Sequence, residues 1–219
     1  MTIPLHPFQD DPLQAEAALY FLPQGHYLFR WRDKSGLSGS KFVTPDDLQA
    51  AFSRSERDTG WLSPGIVRAG YGRQGEWFAL HSPPQKLTIH LLEMGTVTIP
   101  TPAMIMAGVA RSYYLWALAE PFSPHARLYE APFPNVHPDG KVCWGNNTPP
   151  EAGPATAQAA WQLFFESPFN NHLVQGKTRR HSEDVRKLLA HLDGKGKFPT
   201  RELTALRGSL QSAIERLFQ

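Results

Sequence analysis

Cysteine is nearly absent: Cys143 is the only one in 219 residues. A lone thiol excludes an intrachain disulfide and suits a reducing compartment, so a cytoplasmic protein is expected. Long apolar runs are also missing. The longest candidate, Ala103 to Ala110, falls far short of the roughly 18–20 residues of a membrane helix, and no membrane partner is expected. The opening Met-Thr-Ile-Pro-Leu-His-Pro lacks the basic and apolar regions of a leader peptide. No excess of one charge exists either. Lys and Arg total 22 against 20 Asp and Glu, a net charge of +2, which argues against a global polyanion binder. There is no CxxC pair and no tight histidine spacing, so no zinc site is expected. Gly194-Lys195-Gly196-Lys197 lacks the spacing of a phosphate-binding loop and follows a helix rather than a strand.

What the chain does have is proline, 20 residues of it, distributed unevenly. Eight lie between Pro121 and Pro154, and only Pro168 and Pro199 come later. Proline breaks helix interiors and cannot donate to a strand ladder. Residues 121–154 are therefore expected to be extended or looped, and the chain beyond 155 mostly helical. Before the proline-rich stretch, Ala17 to Leu22 and His26 to Trp31 read as strands around a Pro23-Gln24-Gly25 turn. Thr44-Pro45-Asp46-Asp47 is a helix start, with the helix running to about Phe52. Gly65 to Gly70 and Glu76 to His81 are weaker strands. Leu87, Ile89 and Leu91, then Val97 and Ile99, alternate with polar residues and predict an antiparallel hairpin. Tyr113 to Leu118 is a further strand. Met104 to Met106 fits strand or core helix equally well.

Three helices are expected after residue 155. Ala155 to Glu166 carries Ala160, Trp161, Phe164 and Phe165 on one side. Ser182 to Leu192 has an apolar stripe of Val185, Leu188, Leu189 and Leu192, with Gly194 as its stop. Thr200 would cap a last helix bearing Leu203, Leu206, Leu210, Ile214 and Leu217. Strands first and helices last predict an α+β fold, an antiparallel sheet with helices on one side.

The segment richest in chemistry runs from Ala131 to Asn146. It contains Cys143 and, eight residues earlier, Asn135, with a Pro138-Asp139-Gly140 turn between them. Such a turn folds the segment back and brings Asn135 and Cys143 together. A thiolate attacking an acyl group needs a donor for the developing oxyanion, and a side-chain amide supplies one. A lone cysteine is nonetheless more often a small core hydrophobe than a nucleophile.

Pro134-Asn135-Val136-x-Pro138-Asp139-Gly140-x-Val142-Cys143 resembles the active-site segment of ubiquitin-conjugating (UBC-like) enzymes. That family carries His-Pro-Asn, a short turn, then Gly-x-Ile/Val-Cys, with the same eight-residue step. The helix from Ala155 and the proline-containing loop from Ser167 to Val174 continue the resemblance, which spans roughly residues 85–176. The stretch from Leu128 to Val136, with Val-Cys-Trp-Gly after it, resembles more narrowly the bacterial UBC-like proteins called PRTRC system protein B.

The resemblance implies a division into a β-rich N-terminal extension with one helix (1–84), a UBC-like core with the cysteine loop (85–176) and C-terminal helices packed on it (177–219). It implies that Cys143 accepts a ubiquitin-like modifier from a ThiF-like activating enzyme as a thioester and passes it to an amine, with Asn135 stabilising the oxyanion. It implies no metal and no cofactor. Two departures stand out. The family's histidine is Phe133 here, and an acidic residue that helps activate the amine in many relatives is replaced by Asn171. His137 and His172 are the nearest titratable substitutes. Trp144 either shields the thioester or packs in the core.

Three other readings compete. One is a non-catalytic UBC-like adaptor that binds a ubiquitin-like partner. Another is a cysteine hydrolase pairing Cys143 with His137 or His172. The third is nucleic-acid binding by residues 177–201, which hold eight Lys and Arg against three acids. A solvated basic face accounts for that last feature more simply.

Overall fold

The computed structural model describes residues 17–33, 35–53 and 62–218. Residues 1–16, on which the reading of the leader region falls, lie outside the described residues. The chain divides into two compact units, residues 1–60 and 61–219. In the first, β1 (Ala17–Leu22), β2 (His26–Arg32) and β3 (Ser38–Val43) form an antiparallel sheet in that order. The helix α1 (Pro45–Ser53) starts where the sequence places it. Thr44 and Asp47 cap it reciprocally: the Asp47 carboxylate accepts from Thr44 N–H at 3.0 Å, and the Thr44 hydroxyl accepts from Asp47 N–H at 3.1 Å.

The second unit is built on six strands. They are β4 (Ile66–Gly72), β5 (Gly75–Ser82), β8 (Ala103–Val109), β9 (Ser112–Leu118), β10 (Arg127–Glu130) and β11 (Ala205–Ser209). Their spatial order is β11-β10-β9-β8-β5-β4, every pair antiparallel. The predicted hairpin is β6 (Lys86–Leu91) with β7 (Gly95–Pro100), antiparallel, with Leu87 opposite Ile99 and Ile89 opposite Val97.

Both faces of the sheet are covered. One face, with Phe78, Met104, Met106 and Leu115, packs against the hairpin's Ile89 and Leu91, against α2 (Ala157–Glu166) and against α3 (Val185–His191). This is the expected sheet-and-helix layer. The opposite face, with Ala79, Ile105, Ala107 and Trp116, packs against Leu210, Ala213 and Ile214 of α4 (Leu210–Phe218). Every residue of β8 is consequently buried. Alternation requires one wet face, so periodicity had no means of separating strand from helix at Met104 to Met106.

The single helix expected from Thr200 is corrected. Thr200–Glu202 is one 3-10 turn, β11 follows, and only then α4. Leu203 belongs to the first core, whereas Leu210 and Ile214 belong to the second. No straight helix reaches both sides of a sheet, so the chain passes its edge as a strand. Gly208 makes the change of direction at φ +94°.

Asp184 caps α3, accepting from Arg186 N–H at 2.9 Å and from the Arg186 guanidinium at 2.8 Å. The guanidinium contact holds the Asp184 carboxyl below its ordinary range. Asp184→Ala is expected to cost about 1 kcal/mol of stability, the usual value of a lost N-cap. Because the folded-state value is depressed, this advantage is present above the ordinary carboxylate range and fades as pH falls through the folded one. Denaturant midpoints of both proteins at pH 7 and in acid measure it; a constant difference across pH contradicts the ion-pair account.

Candidate active site

The segment from Asn135 to Cys143 folds back for reasons visible residue by residue. Gly140 sits at φ +97°, a conformation that glycine adopts at little cost. Space enforces the same choice, since a Cβ there would stand 2.1 Å from Trp116 Nε1. The Trp116 indole N–H donates to the Asp139 carbonyl at 2.9 Å, and the Asp139 carboxylate accepts from Lys141 N–H at 2.9 Å. Backbone bonds then close the hairpin. Gly140 N–H donates to His137 O at 2.9 Å, His137 N–H to Lys141 O at 2.8 Å, and Cys143 N–H to Asn135 O at 2.7 Å. Asn135 and Cys143 are thus direct partners, as the turn predicts.

Two sets of bonds fix the hairpin in the molecule. Toward the sheet, Val142 N–H donates to Tyr113 O and Leu115 N–H to Gly140 O, both at 2.8 Å. Toward the loop after α2, Asn135 N–H donates to His172 O at 3.0 Å. That loop is itself docked on β6, with Phe169 N–H on His90 O and Leu92 N–H on Phe169 O. Asn135 has φ +61°, a region in which asparagine is enriched over other side chains. Phe133, in place of the resembling family's histidine, is fully buried. Its ring meets Phe165 edge-on at 5.1 Å and Phe169 at 5.9 Å. Aromatic packing holds this segment where a polar side chain stands in the family's pattern.

A cleft of about 180 Å³ opens between the hairpin and the loop. Its lining includes Asn135, Cys143, Trp144, Asn147, Asn170 and His172. Cys143 is a free thiol of intermediate exposure. The Asn135 side-chain amide makes no hydrogen bond to any described residue, so its donors are available to a ligand in the cleft. The two histidines part company. His172 lines the cleft, whereas His137 is exposed at the hairpin turn and is not part of the lining. Asn171 is exposed and outside the lining as well; the neighbouring amide, Asn170, is the one that lines it and accepts from His172 N–H at 2.9 Å. Trp144 serves both readings. It lines the cleft and packs edge-on against Tyr113 at 5.3 Å and Phe164 at 6.1 Å. Burial pushes the Tyr113 phenol up to about 12, so it stays protonated and donates to Pro150 O at 2.9 Å, tying down the chain beyond the cysteine.

Sequence reasoning missed one element of the site. Lys177 stands first in a basic run, which reads as solvated, yet it is only 1% exposed. Its ammonium donates to the carbonyl of Val136, inside the hairpin, and lies 3.4 Å from Glu130 Oε2 of β10. No spacing signal marks it, because its carboxylate partner lies 47 residues away along the chain. Three further cations of the run are also paired, Arg180 with Glu202 at 3.3 Å, Arg186 with Asp184 at 2.8 Å and Lys187 with Glu183 at 3.1 Å. That pairing weakens the nucleic-acid reading of residues 177–201.

A larger cavity of about 630 Å³ is lined from the far ends of β8 and β9, by Ala103 and Leu118, and by His81, Lys86 and Phe122. Its lining contains no cysteine, so thiol chemistry points to the smaller cleft. Among the described residues no group of three or more His, Cys, Asp or Glu is placed to hold a metal ion, and no helix is long and apolar enough to cross a membrane.

The model of a protein family described as prokaryotic E2 family D matches residues 43–206. That span contains the hairpin, the loop after α2, Lys177 and Glu130. No curated protein and no solved structure gives a significant match.

Proposed function

The chain belongs to prokaryotic E2 family D, and on that premise we propose that it is a bacterial ubiquitin-like conjugating enzyme. It carries a ubiquitin-like modifier as a thioester on Cys143 and passes it to an amine acceptor. The observation that carries this reading is the direct pairing of Cys143 with Asn135 at the mouth of a cleft, with the asparagine amide unengaged.

In the first step the Cys143 thiolate attacks the thioester carbonyl on the activating enzyme. A new carbon–sulfur bond forms, the old one breaks, and the activating enzyme's thiolate leaves. In the second, an acceptor amine attacks the Cys143 thioester. A carbon–nitrogen bond forms, the Cys143 thiolate leaves, and the amine's proton passes to a base. Both steps build negative charge on the carbonyl oxygen, which the Asn135 amide stabilises by donating to it. Besides Cys143 itself, His172 is the titratable side chain of the cleft lining and is assigned as that base. His137, the weaker catalytic candidate of the sequence, is exposed and outside the lining, which favours His172 over it. The Leu128–Val136 stretch and Val142-Cys143-Trp144-Gly145 favour a PRTRC-type setting, with a ThiF-like activating enzyme as partner in the cytoplasm.

The test is a charging assay with a ThiF-like activating enzyme, ATP and a ubiquitin-like protein. A reductant-labile adduct is expected in the wild type and none in Cys143→Ala. Absence of the adduct, while the activating enzyme is itself charged, would move the protein to the adaptor reading.

A further inference from the structure

The groups that the two chemical steps leave unused include a buried ammonium. Lys177 is 1% exposed, so its charge depends on the groups it meets inside the protein. Its Nζ donates to Val136 O, and Glu130 Oε2 lies at 3.4 Å. Burying a charged amine costs several kcal/mol unless it is paired and hydrogen-bonded. An aliphatic side chain would fill the same space without that cost, so the charge at 177 calls for an explanation.

The location of Val136 supplies one. It is the residue between Asn135 and His137, and it pairs with Val142, next to Cys143. Its carbonyl therefore sits in the middle of the short hairpin whose open end holds both the nucleophile and the oxyanion donor. Backbone bonds to β9 hold the Cys143 strand of the hairpin, through Val142 and Gly140. The Asn135 strand has Asn135 N–H on His172 O and the ammonium on Val136 O.

Building on the conjugating-enzyme reading, we propose that Lys177 is a positioning residue for Asn135, with Glu130 holding the charge that makes the anchor. The ammonium fixes the Val136 peptide, and with it the placement of the Asn135 amide against the Cys143 acyl carbonyl. A misplacement of about 1 Å in such a donor costs as much as a hundredfold in rate.

The charged groups acting on Lys177 are Glu130 of β10 and Asp139 of the hairpin turn, both favouring the ammonium. Burial acts against them and lowers the lysine from its ordinary value, and burial likewise raises Glu130. The anchor is therefore ionised over a window narrowed at both ends. It is lost as pH rises through the lysine's folded value. Removing the Glu130 charge moves that loss to lower pH, by at least ~1 unit for a close opposite charge.

The experiment follows the Val136 carbonyl carbon and the Cys143 amide of the full chain by NMR against pH, in wild type, Glu130→Gln and Lys177→Met. Discharge of the charged enzyme to a free amine is measured in parallel. An alkaline transition at Val136 is expected in wild type, displaced to lower pH in Glu130→Gln and absent in Lys177→Met, with discharge slowed about ten- to a hundredfold in Lys177→Met. If Glu130→Gln titrates as wild type, or if Lys177→Met keeps wild-type Val136 and Cys143 resonances and rate, the proposal is overturned. Should Lys177→Met fail to fold, the Glu130→Gln titration decides alone. If the resonances respond as expected but no protein, wild type included, forms a thioester, the anchor stands and the conjugating-enzyme reading falls.

Discussion

Phe133→Ala is expected to destabilise the protein by about 3–5 kcal/mol, the range for removing a fully buried aromatic ring. In a chain of this size that corresponds to a drop in Tm on the order of 10 °C. The ring is completely buried and lies against Phe165 and Phe169, which in turn contact Phe164 and Trp161. Collapse around the cavity is limited because the neighbouring segment is tied elsewhere, by Asn135 N–H to His172 O and by Phe169 to β6. Phe133→His is the informative companion. It restores the residue of the UBC-like pattern, yet it places an imidazole among aromatic rings, where an unpaired polar group costs about 1–3 kcal/mol. Both variants are therefore expected to melt below wild type, with Phe133→Ala the lower. Thermal unfolding by circular dichroism measures this. A Phe133→His variant more stable than wild type would show that the segment retains a partner for the histidine and that aromatic packing is not what replaced it.

The same residue illustrates what the sequence made legible and what it did not. The missing histidine was plain from the motif, but what took over its role was not, because Phe165 and Phe169 meet Phe133 only in three dimensions. Local signals did well. The Thr44–Asp47 cap, the β6–β7 hairpin, the Gly140 turn and the helix ending at Glu166 all depend on residues close in sequence. Signals that depend on both faces of an element failed. The undecided Met104 to Met106 segment is a strand buried on both sides. The helix expected from Thr200 divides because Leu203 and Leu210 serve different cores.

At the candidate site, the eight-residue step from Asn135 to Cys143 correctly foresaw a hairpin, since the turn chemistry lies inside it. Two things needed the fold. The choice of His172 over His137 as a cleft residue depends on where the loop after α2 docks. The burial of Lys177 depends on β10, 47 residues away along the chain. A basic run has no periodicity to say which of its members turns inward.

Among the groups around the nucleophile, the largest expected effect on rate belongs to Asn135, and its backbone makes the test sharper than a simple alanine substitution. At φ +61° an alanine is strained, so Asn135→Ala changes both the amide and the loop. Asn135→Gly removes the amide while keeping a residue that adopts the left-handed region freely. If the asparagine is there only to shape the turn, Asn135→Gly restores wild-type discharge and Asn135→Ala does not. If the amide stabilises the oxyanion, both variants lose roughly 10²–10³ in the rate of acyl transfer, the usual cost of deleting one such donor. The second outcome is expected, because the amide is engaged by no described residue and lies in the cleft lining beside Cys143. Rates are to be compared at a pH where Cys143 alkylation by iodoacetamide proceeds equally in all three proteins, so that thiolate availability is held constant. Under that condition a near-wild-type Asn135→Gly would remove the amide from the mechanism. The left-handed turn would then remain as the reason for asparagine at this position, because the Cys143 N–H bond to Asn135 O is a backbone contact that any residue supplies.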